Sequence, residues 1–207
     1  MKRFLAMVLV LTMAMSLFVA CGKKAETPAD PTNDAATEAT TEESTEPQVT
    51  GPASALEILE KIWGKYAEEE KFAVMGGNME NAVMDGPGEY DLAYAETLTF
   101  NLLIPEAEIA NVDQVASMIH AMNANTFTCG VFHLVDGIAP EAFAVTMNEA
   151  IAGNMWMCGF PERQVIVSLE GGYVVMAFGV NDAMTPFFTH LQVAYPVANV
   201  LFDEPIA

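Results

Sequence analysis

The sequence predicts an α+β domain, in which a mostly antiparallel sheet of about four strands carries helices packed chiefly on one face. Three observations predict this class: a helix-start signal before an amphipathic stretch, segments in which apolar and polar residues alternate, and a hairpin pattern centred on two glycines. All three lie within residues 51–207, a span of 157 residues. That is a normal size for one domain with a single core, so we expect one globular domain there.

Start signals and apolar residues at helical spacing predict four helices. The first follows Ser54-Ala55-Leu56-Glu57, which has the pattern of a capping box. Others begin near Asn111, at Pro140 in a first-turn position, and at Thr185. The expected helices cover 54–70, a stretch from about 111 that buries Val112, Val115, Ile119 and Met122, then 140–153, and 185–195.

Alternating apolar and polar residues predict the strands. The segments are 97–104, with Leu98, Phe100, Leu102 and Ile104 on one face, then 126–135, 164–170 and 173–179. Gly171-Gly172 between the last two suits a two-residue hairpin turn, which would set Val167 opposite Met176. The glycine-containing stretch 75–94 is expected to be a loop with at most one short helix.

The first twenty residues have the parts of an export signal, because Met1-Lys2-Arg3 precede an apolar run from Phe4 to Ala20. Leu17-Phe18-Val19-Ala20-Cys21-Gly22 then resembles the lipobox of bacterial lipoproteins, although Phe18 stands where an aliphatic residue is usual. The resemblance implies that residues 1–20 are a cleaved signal peptide and that Cys21 carries a diacylglyceryl group, with palmitate among its acyl chains. The alternative is an uncleaved signal anchor with an incidental cysteine.

Residues 21–50 predict a tether between the lipid and the domain. They are rich in Thr, Ala, Glu, Asp and Pro and contain almost no large apolar residue. Such a segment cannot bury enough surface to offset its chain entropy, so we expect it to be disordered. The predicted location is therefore the extracytoplasmic face of the cell membrane, reached through the lipid on Cys21.

The domain is strongly anionic, which restricts its partners. Residues 51–207 contain 21 acids and four bases, a net charge of −17. Binding to a phosphate backbone needs clustered Lys and Arg, so nucleic acid is excluded as a partner. No cofactor motif is present, and we expect no cofactor.

The chain as a whole resembles a group of small lipoproteins from clostridial-type Gram-positive bacteria. The resemblance is carried by the lipobox, the acidic tether, the Gly-Gly-Tyr-Val-Val-Met hairpin at 171–176 and a final helix. This group implies a cell-surface setting and supplies no catalytic residue.

Cysteine and methionine provide the first candidate sites. Cys129 and Cys158 can form a disulfide in an extracytoplasmic protein, or remain two free thiols that pack as small hydrophobic groups. Met155, Met157 and Cys158 are soft ligands of the kind that select Cu(I), with His120, His133 and His190 as further candidates. Methionine is frequent throughout the chain, so the favoured interpretation of these residues is apolar filling.

Oxygen ligands and catalytic motifs give weaker signals. Asp85, Glu89 and Asp91 suggest Ca²⁺ but lack EF-hand spacing, and a solvated acidic loop is the favoured interpretation. No Gly-x-Ser-x-Gly or His-Glu-x-x-His motif is present, and only a Cys–His dyad from the residues above is conceivable.

The leading functional hypothesis is a binding module near the cell surface, with a protein or small-molecule partner. It predicts an exposed apolar patch, for which Phe187, Phe188 and the segment 197–202 are the candidates. The alternative is an envelope-acting hydrolase, which predicts a cleft that gathers a histidine or paired acids. A lesser alternative is copper handling, which predicts that the Met and Cys side chains converge.

Overall fold

An eight-stranded antiparallel sheet organises the domain. The computed structural model describes residues 51–206, so the predicted signal peptide, Cys21 and the tether lie outside the described residues. The strands are β1 (Val74–Gly76), β2 (Val83–Met84), β3 (Gly88–Glu89), β4 (Val112–His120), β5 (Phe127–Leu134), β6 (Arg163–Leu169), β7 (Tyr173–Gly179) and β8 (Asn199–Pro205). They lie in the order β2-β1-β4-β5-β7-β6-β8, and β3 also pairs with β4. The α+β class is confirmed, but the predicted four strands are half the number present.

Helices cover both faces of this sheet, not chiefly one. They are α1 (Ala55–Trp63), the short α2 (Leu98–Asn101), α3 (Pro140–Ala152) and α4 (Asn181–Ala194), with 3₁₀ turns at Leu92–Thr97 and Glu106–Asn111. Helices α1 and α4 pack their apolar sides against one face of the sheet, in a cluster that includes Val131, Val167 and Val175. The helices α2 and α3 pack on the other face, in a cluster that includes Phe132, Ile166 and Met176.

Two predicted elements have the wrong type. The segment 97–104, predicted as a strand, is helical at its start. Leu98 and Leu102 are one helical turn apart, so a helix buries both of them. Phe100, which the strand would have buried with them, is 87% exposed. The expected helix near Asn111 is the strand β4. Its residues 115–118 are buried on both faces of the sheet, and a bulge between Val112 and Gln114 breaks the alternation. A strand buried on both faces has no period of two to detect.

The hairpin of β6 and β7 is present, but its register differs from the prediction by one residue. Val167 lies opposite Val175, not Met176, because three residues, Glu170, Gly171 and Gly172, form the turn. Both glycines have positive φ, of 80° and 79°. Apolar residues occupy both faces of these strands, so hydrophobic pattern alone could not fix which residues pair.

The remaining differences are at element ends. Residues 75–94 include three short strands where a loop was expected. The helix α1 begins at its predicted cap, Ser54, but ends at Trp63, before Glu70. The helix α4 begins at Asn181, four residues before Thr185, and the Asn181 backbone N–H donates to the Glu162 carboxylate at 2.8 Å. That tertiary contact at the helix start leaves no local signal in the sequence.

The chain enters the domain at one end of the sheet. Gly51 lies beside Glu170, in the turn between β6 and β7. The Ala55 N–H donates to Gln114 near the start of β4, at the same end. The opposite end contains the end of β4, the start of β5 and the end of β7.

Candidate functional site

A groove lies at that opposite end of the sheet, and its floor is one row of cross-strand neighbours. The strand pairing sets Met84 opposite Met75, Met75 opposite Ile119, Ile119 opposite Thr128, and Thr128 opposite Phe178. Directly opposed residues in a sheet point to the same face. The row therefore runs across β2, β1, β4, β5 and β7, and its last four residues line the groove.

The walls of the groove come from two segments that are not strands. On one side lie Phe100 and Leu103, in α2 and just after it, and on the other lies the loop 154–157. Together they border an open concavity of about 810 Å³. That volume leaves room for a short segment of a partner chain.

The loop wall is held in place by two amides. Asn123 donates to the Cys158 carbonyl at 2.8 Å, and Asn125 donates to the carbonyls of Met157 at 2.8 Å and Gly159 at 3.1 Å. Cys158 and Gly159 both have positive φ, which turns the chain sharply there. The backbone that carries Met155 and Met157 is thus fixed, while their unbranched side chains stay adaptable.

Large apolar side chains are exposed around this groove. Phe100 is 87% exposed, Met122 84%, Met155 88% and Met157 77%. Single exposed apolar residues are ordinary on a protein surface, but a group of four around one concavity marks an interaction site. Flexible methionines are typical of surfaces that accept apolar partners of varied shape.

The groove has no positive charge of its own. Glu96 is its one acidic lining residue, and neither Lys nor Arg lines it. An adjoining hollow shares Glu96 and Thr99 with the groove and adds Glu106. The groove lining is therefore mostly apolar, with several amide side chains, and its one acid is shared with the adjoining hollow.

His120 lines the groove, but its ring is already engaged. The backbone N–H groups of Met122 and Asn123 both donate to its Nδ1, at 3.2 Å, and the ring stacks on Phe72. Nδ1 is therefore the unprotonated nitrogen, and in the neutral ring Nε2 carries the proton. This arrangement removes the available lone pair that a metal ligand or a general base needs.

The candidates for the predicted apolar patch differ in exposure. Val197 is 77% exposed and Val200 42%, so the segment 197–202 stays a candidate. Phe187 is fully buried in the core between α4 and the sheet. Phe188 is partly buried, and Arg163 lies 5.1 Å above its ring while pairing with Asp203. The segment 197–202 contributes β8 at the edge of the sheet. The prediction of an interaction surface at Phe187 is therefore wrong, because α4 turns that side chain inward.

The two cysteines do not form a disulfide in this structure. Cys129 is buried on the face covered by α1 and α4, whereas Cys158 is exposed in the loop after α3. The neighbouring Trp156 packs on Phe178, on the other face of the sheet. Burial raises the pKa of the Cys129 thiol well above its usual value, so this thiol stays protonated and unreactive.

The soft-metal hypothesis stays a prediction. Met155 and Met157 do line one groove with Met75 and Met122, while Cys158 does not line it. Within residues 51–206, no group of three or more His, Cys, Asp and Glu side chains is placed to share a metal ion. Of the calcium candidates, Glu89 and Asp91 lie together in a small acidic hollow, and Asp85 does not reach it.

A polar cluster separate from the groove lies at the end of the sheet where the chain enters. His133 hydrogen-bonds through Nδ1 to Asp113, and its ring packs against Tyr173 at 4.6 Å between centroids. Burial, and secondarily Asp113, raises the pKa of Tyr173. In the described part of the chain, no serine, threonine or cysteine hydrogen-bonds to His133, so the pair lacks the nucleophile that a hydrolase of this type needs.

The groove could not be predicted because two of its residues lie in segments whose secondary structure differs from the sequence prediction. Met122 was placed on the buried side of a helix and Phe100 on the buried side of a strand, yet both are exposed. The favoured interpretation of Met155 and Met157 as apolar filling is also wrong, because both side chains are exposed.

No family model, curated protein or solved structure matches this chain. None of the helices within residues 51–206 has the length and apolar character required to cross a bilayer.

Proposed function

We propose that this protein is a membrane-anchored extracytoplasmic lipoprotein, lipidated at Cys21, that binds a partner through the groove at the end of its sheet. The observation that supports the binding role most strongly is the group of exposed side chains around one concavity: Phe100, Met122, Met155 and Met157. The sequence of residues 1–50 supports the anchor and the tether.

Exposing four large apolar side chains to water is unfavourable, at about 25 cal/mol for each Å² of apolar surface. A partner that covers them regains this free energy, whereas in the free domain the exposure contributes nothing to folding. The groove also contains no unengaged imidazole and no paired acids, which disfavours the hydrolase alternative at this position.

The binding role is tested with the mature chain in phosphatidylcholine nanodiscs. The probe is a neutral amphipathic peptide with Leu and Phe at helical spacing and Gln elsewhere, and the readout is NMR of the methionine methyl groups. We expect the signals of Met155 and Met157 to shift and that of Met79 to stay unchanged. Met79 is 78% exposed and does not line the groove.

A matched pair of variants sharpens this test. Replacing both groove residues, Met155→Gln with Met157→Gln, is expected to weaken peptide binding by about tenfold, because two apolar contacts are lost. Met79→Gln makes the same chemical change outside the groove and is expected to leave binding unaltered. Equal affinity for all three proteins, or no binding to any, would rule out the groove as the binding site.

The anchor is tested separately with Cys21→Ser, which removes the sulfur that carries the lipid. We expect the wild-type protein to incorporate labelled palmitate and to begin at Cys21, and the variant to incorporate none and to keep residues 1–20. A wild-type protein that takes up no lipid and keeps residues 1–20 would instead support the uncleaved signal anchor.

A further inference from the structure

We infer that the natural occupant of the groove is a cationic amphipathic polypeptide segment, with apolar anchors between the methionine-bearing walls and Lys or Arg beside Glu96 and Glu106. This inference rests on the proposed function and adds the chemistry of the partner. It follows from the charge and the dimensions of the groove.

The charge around the groove favours a cationic occupant. Glu96 lines both the groove and the adjoining hollow, and Glu106 lines that hollow. The four bases of the domain are Lys61, Lys65, Lys71 and Arg163, and none of them lines either concavity. Acids beside a mostly apolar groove complement a segment whose apolar side is flanked by basic residues.

The dimensions of the floor fit a short helix or an extended segment. The groove-lining part of the row, from Met75 to Phe178, crosses four strands, and three spacings between strands of about 4.8 Å give a length of about 14 Å. A helix of about 10 residues has that length at 1.5 Å per residue. Helix-in-groove recognition places apolar anchors from one face of the helix into such a concavity.

The same charges disfavour the two other apolar occupants. A second copy of this chain brings another domain of net charge −17, which repels the first. An anionic lipid or fatty acid finds Glu96 and no base at the groove, so its head group would remain without a counter-charge. A cationic segment meets neither obstacle.

Three versions of one peptide of about 10 residues test the inference. They share the Leu and Phe anchors and differ only in their flanking residues, which are Lys, Gln or Glu. Affinity for the mature chain in phosphatidylcholine nanodiscs is measured by fluorescence anisotropy, with empty nanodiscs as the blank. We expect the Lys version to bind about fivefold more tightly than the Gln version, and the Glu version to bind weakest, because exposed ion pairs contribute modestly.

Charge variants locate the effect. Glu96→Gln combined with Glu106→Gln is expected to remove the advantage of the Lys peptide while leaving the Gln peptide unaffected. Glu60→Gln removes an exposed acid on α1, on the opposite face of the sheet, and is expected to change nothing. Added salt should weaken the Lys peptide selectively, since it screens exposed charges.

The outcomes separate the inference from the proposed function. If the Lys and Gln peptides bind equally, the groove is a binding site but the cationic partner is wrong. If the Glu peptide binds best, the partner is anionic and the inference is overturned. If no peptide binds, or if a dimer of the chain excludes the Lys peptide, both the cationic partner and the proposed use of the groove fall.

Discussion

Individual residues in this domain differ sharply in chemical access, as the two cysteines show. Cys129 lies within β5, beneath the helices, and Cys158 lies on an exposed loop. The sequence alone left a disulfide and two free thiols as alternatives. Spacing along the chain could not decide between them, because it does not show on which face of a sheet a side chain lies.

Thiol labelling provides the check. In the native protein under non-reducing conditions, we expect iodoacetamide to modify Cys158 within minutes and to leave Cys129 unmodified until denaturant is added, because reaction needs an accessible thiolate. Mass spectrometry of tryptic peptides identifies the modified residue. A peptide pair linked through Cys129 and Cys158 would show instead that the disulfide forms.

Buried phenols give the domain a sensitivity to alkaline pH. Burial, followed by the charge of Glu57, raises the pKa of Tyr195 to about 12, and burial is also the largest cause of the raised pKa of Tyr66. Neither hydroxyl has a hydrogen-bond partner within the described residues. The folded state therefore keeps protons that the unfolded chain releases above pH 10.

The sign of the effect follows from linkage. Stability is fully present below the unfolded pKa of about 10 and declines as pH rises towards 12. Tyr195→Phe keeps the ring beneath Lys61 and removes the titrating hydroxyl, so the decline should be shallower. At pH 7 the variant should be as stable as wild type or slightly more stable, because an unpartnered buried hydroxyl is lost. Urea unfolding at a series of pH values measures both effects, and a steeper alkaline decline in the variant would contradict this account.

Among the helices and strands, the sequence predicted the ones that are marked by neighbouring residues, such as a cap, a proline or a turn glycine. The helix α1 starts at its capping box, α3 lies between Pro140 and Gly153, and the strands β5, β6 and β7 fall where alternation or turn glycines place them. The predicted type was wrong for β4, which is a strand and not a helix. Burial on both faces and a bulge remove the alternation of apolar and polar residues that marks a strand. The short strands β1 to β3 depend on pairing with β4, which no local pattern shows.

The pairing of β1 with its neighbours depends on a missing side chain. A Cβ atom at Gly76 would lie 2.0 Å from the Gly88 backbone nitrogen, whereas one at Gly86 would meet nothing closer than 4.0 Å. We expect Gly76→Ala to destabilise the domain by about 1–3 kcal/mol, as overpacking does. Gly86→Ala should be nearly neutral. Urea unfolding compares the two variants, and equal stability would mean that β1 and β3 do not approach so closely.

Because Met75 adjoins Gly76 and lines the groove, this substitution also connects the fold to the site. Displacing β1 moves one end of the groove floor, so Gly76→Ala should weaken the neutral peptide more than Gly86→Ala does. The groove itself could not be predicted from the sequence. Its floor combines four strands whose order and register arise only in the folded sheet.

The charge of the whole molecule is the property that the sequence determines without the fold. With 21 acids and four bases in residues 51–207, repulsion among like charges opposes the compact state. Raising NaCl from about 0.02 to about 0.5 M screens this repulsion. We expect the melting temperature to rise by about 2–4 °C. This is the shift that an increase of about 1 kcal/mol in the free energy of unfolding produces in a domain of this size. A fall in the melting temperature would indicate that attractive ion pairs outweigh the repulsion.

The two ends of the sheet also have a mechanical consequence. The chain enters beside Glu170, and the groove lies about 20 Å away along the strands, at roughly 3.3 Å for each residue of β5. In the proposed anchored lipoprotein, a pull on a partner in the groove would place tension roughly parallel to the strands. Load in that direction acts on the hydrogen bonds between neighbouring strands in shear, so several of them share it. Load across the strands would instead separate them one bond at a time.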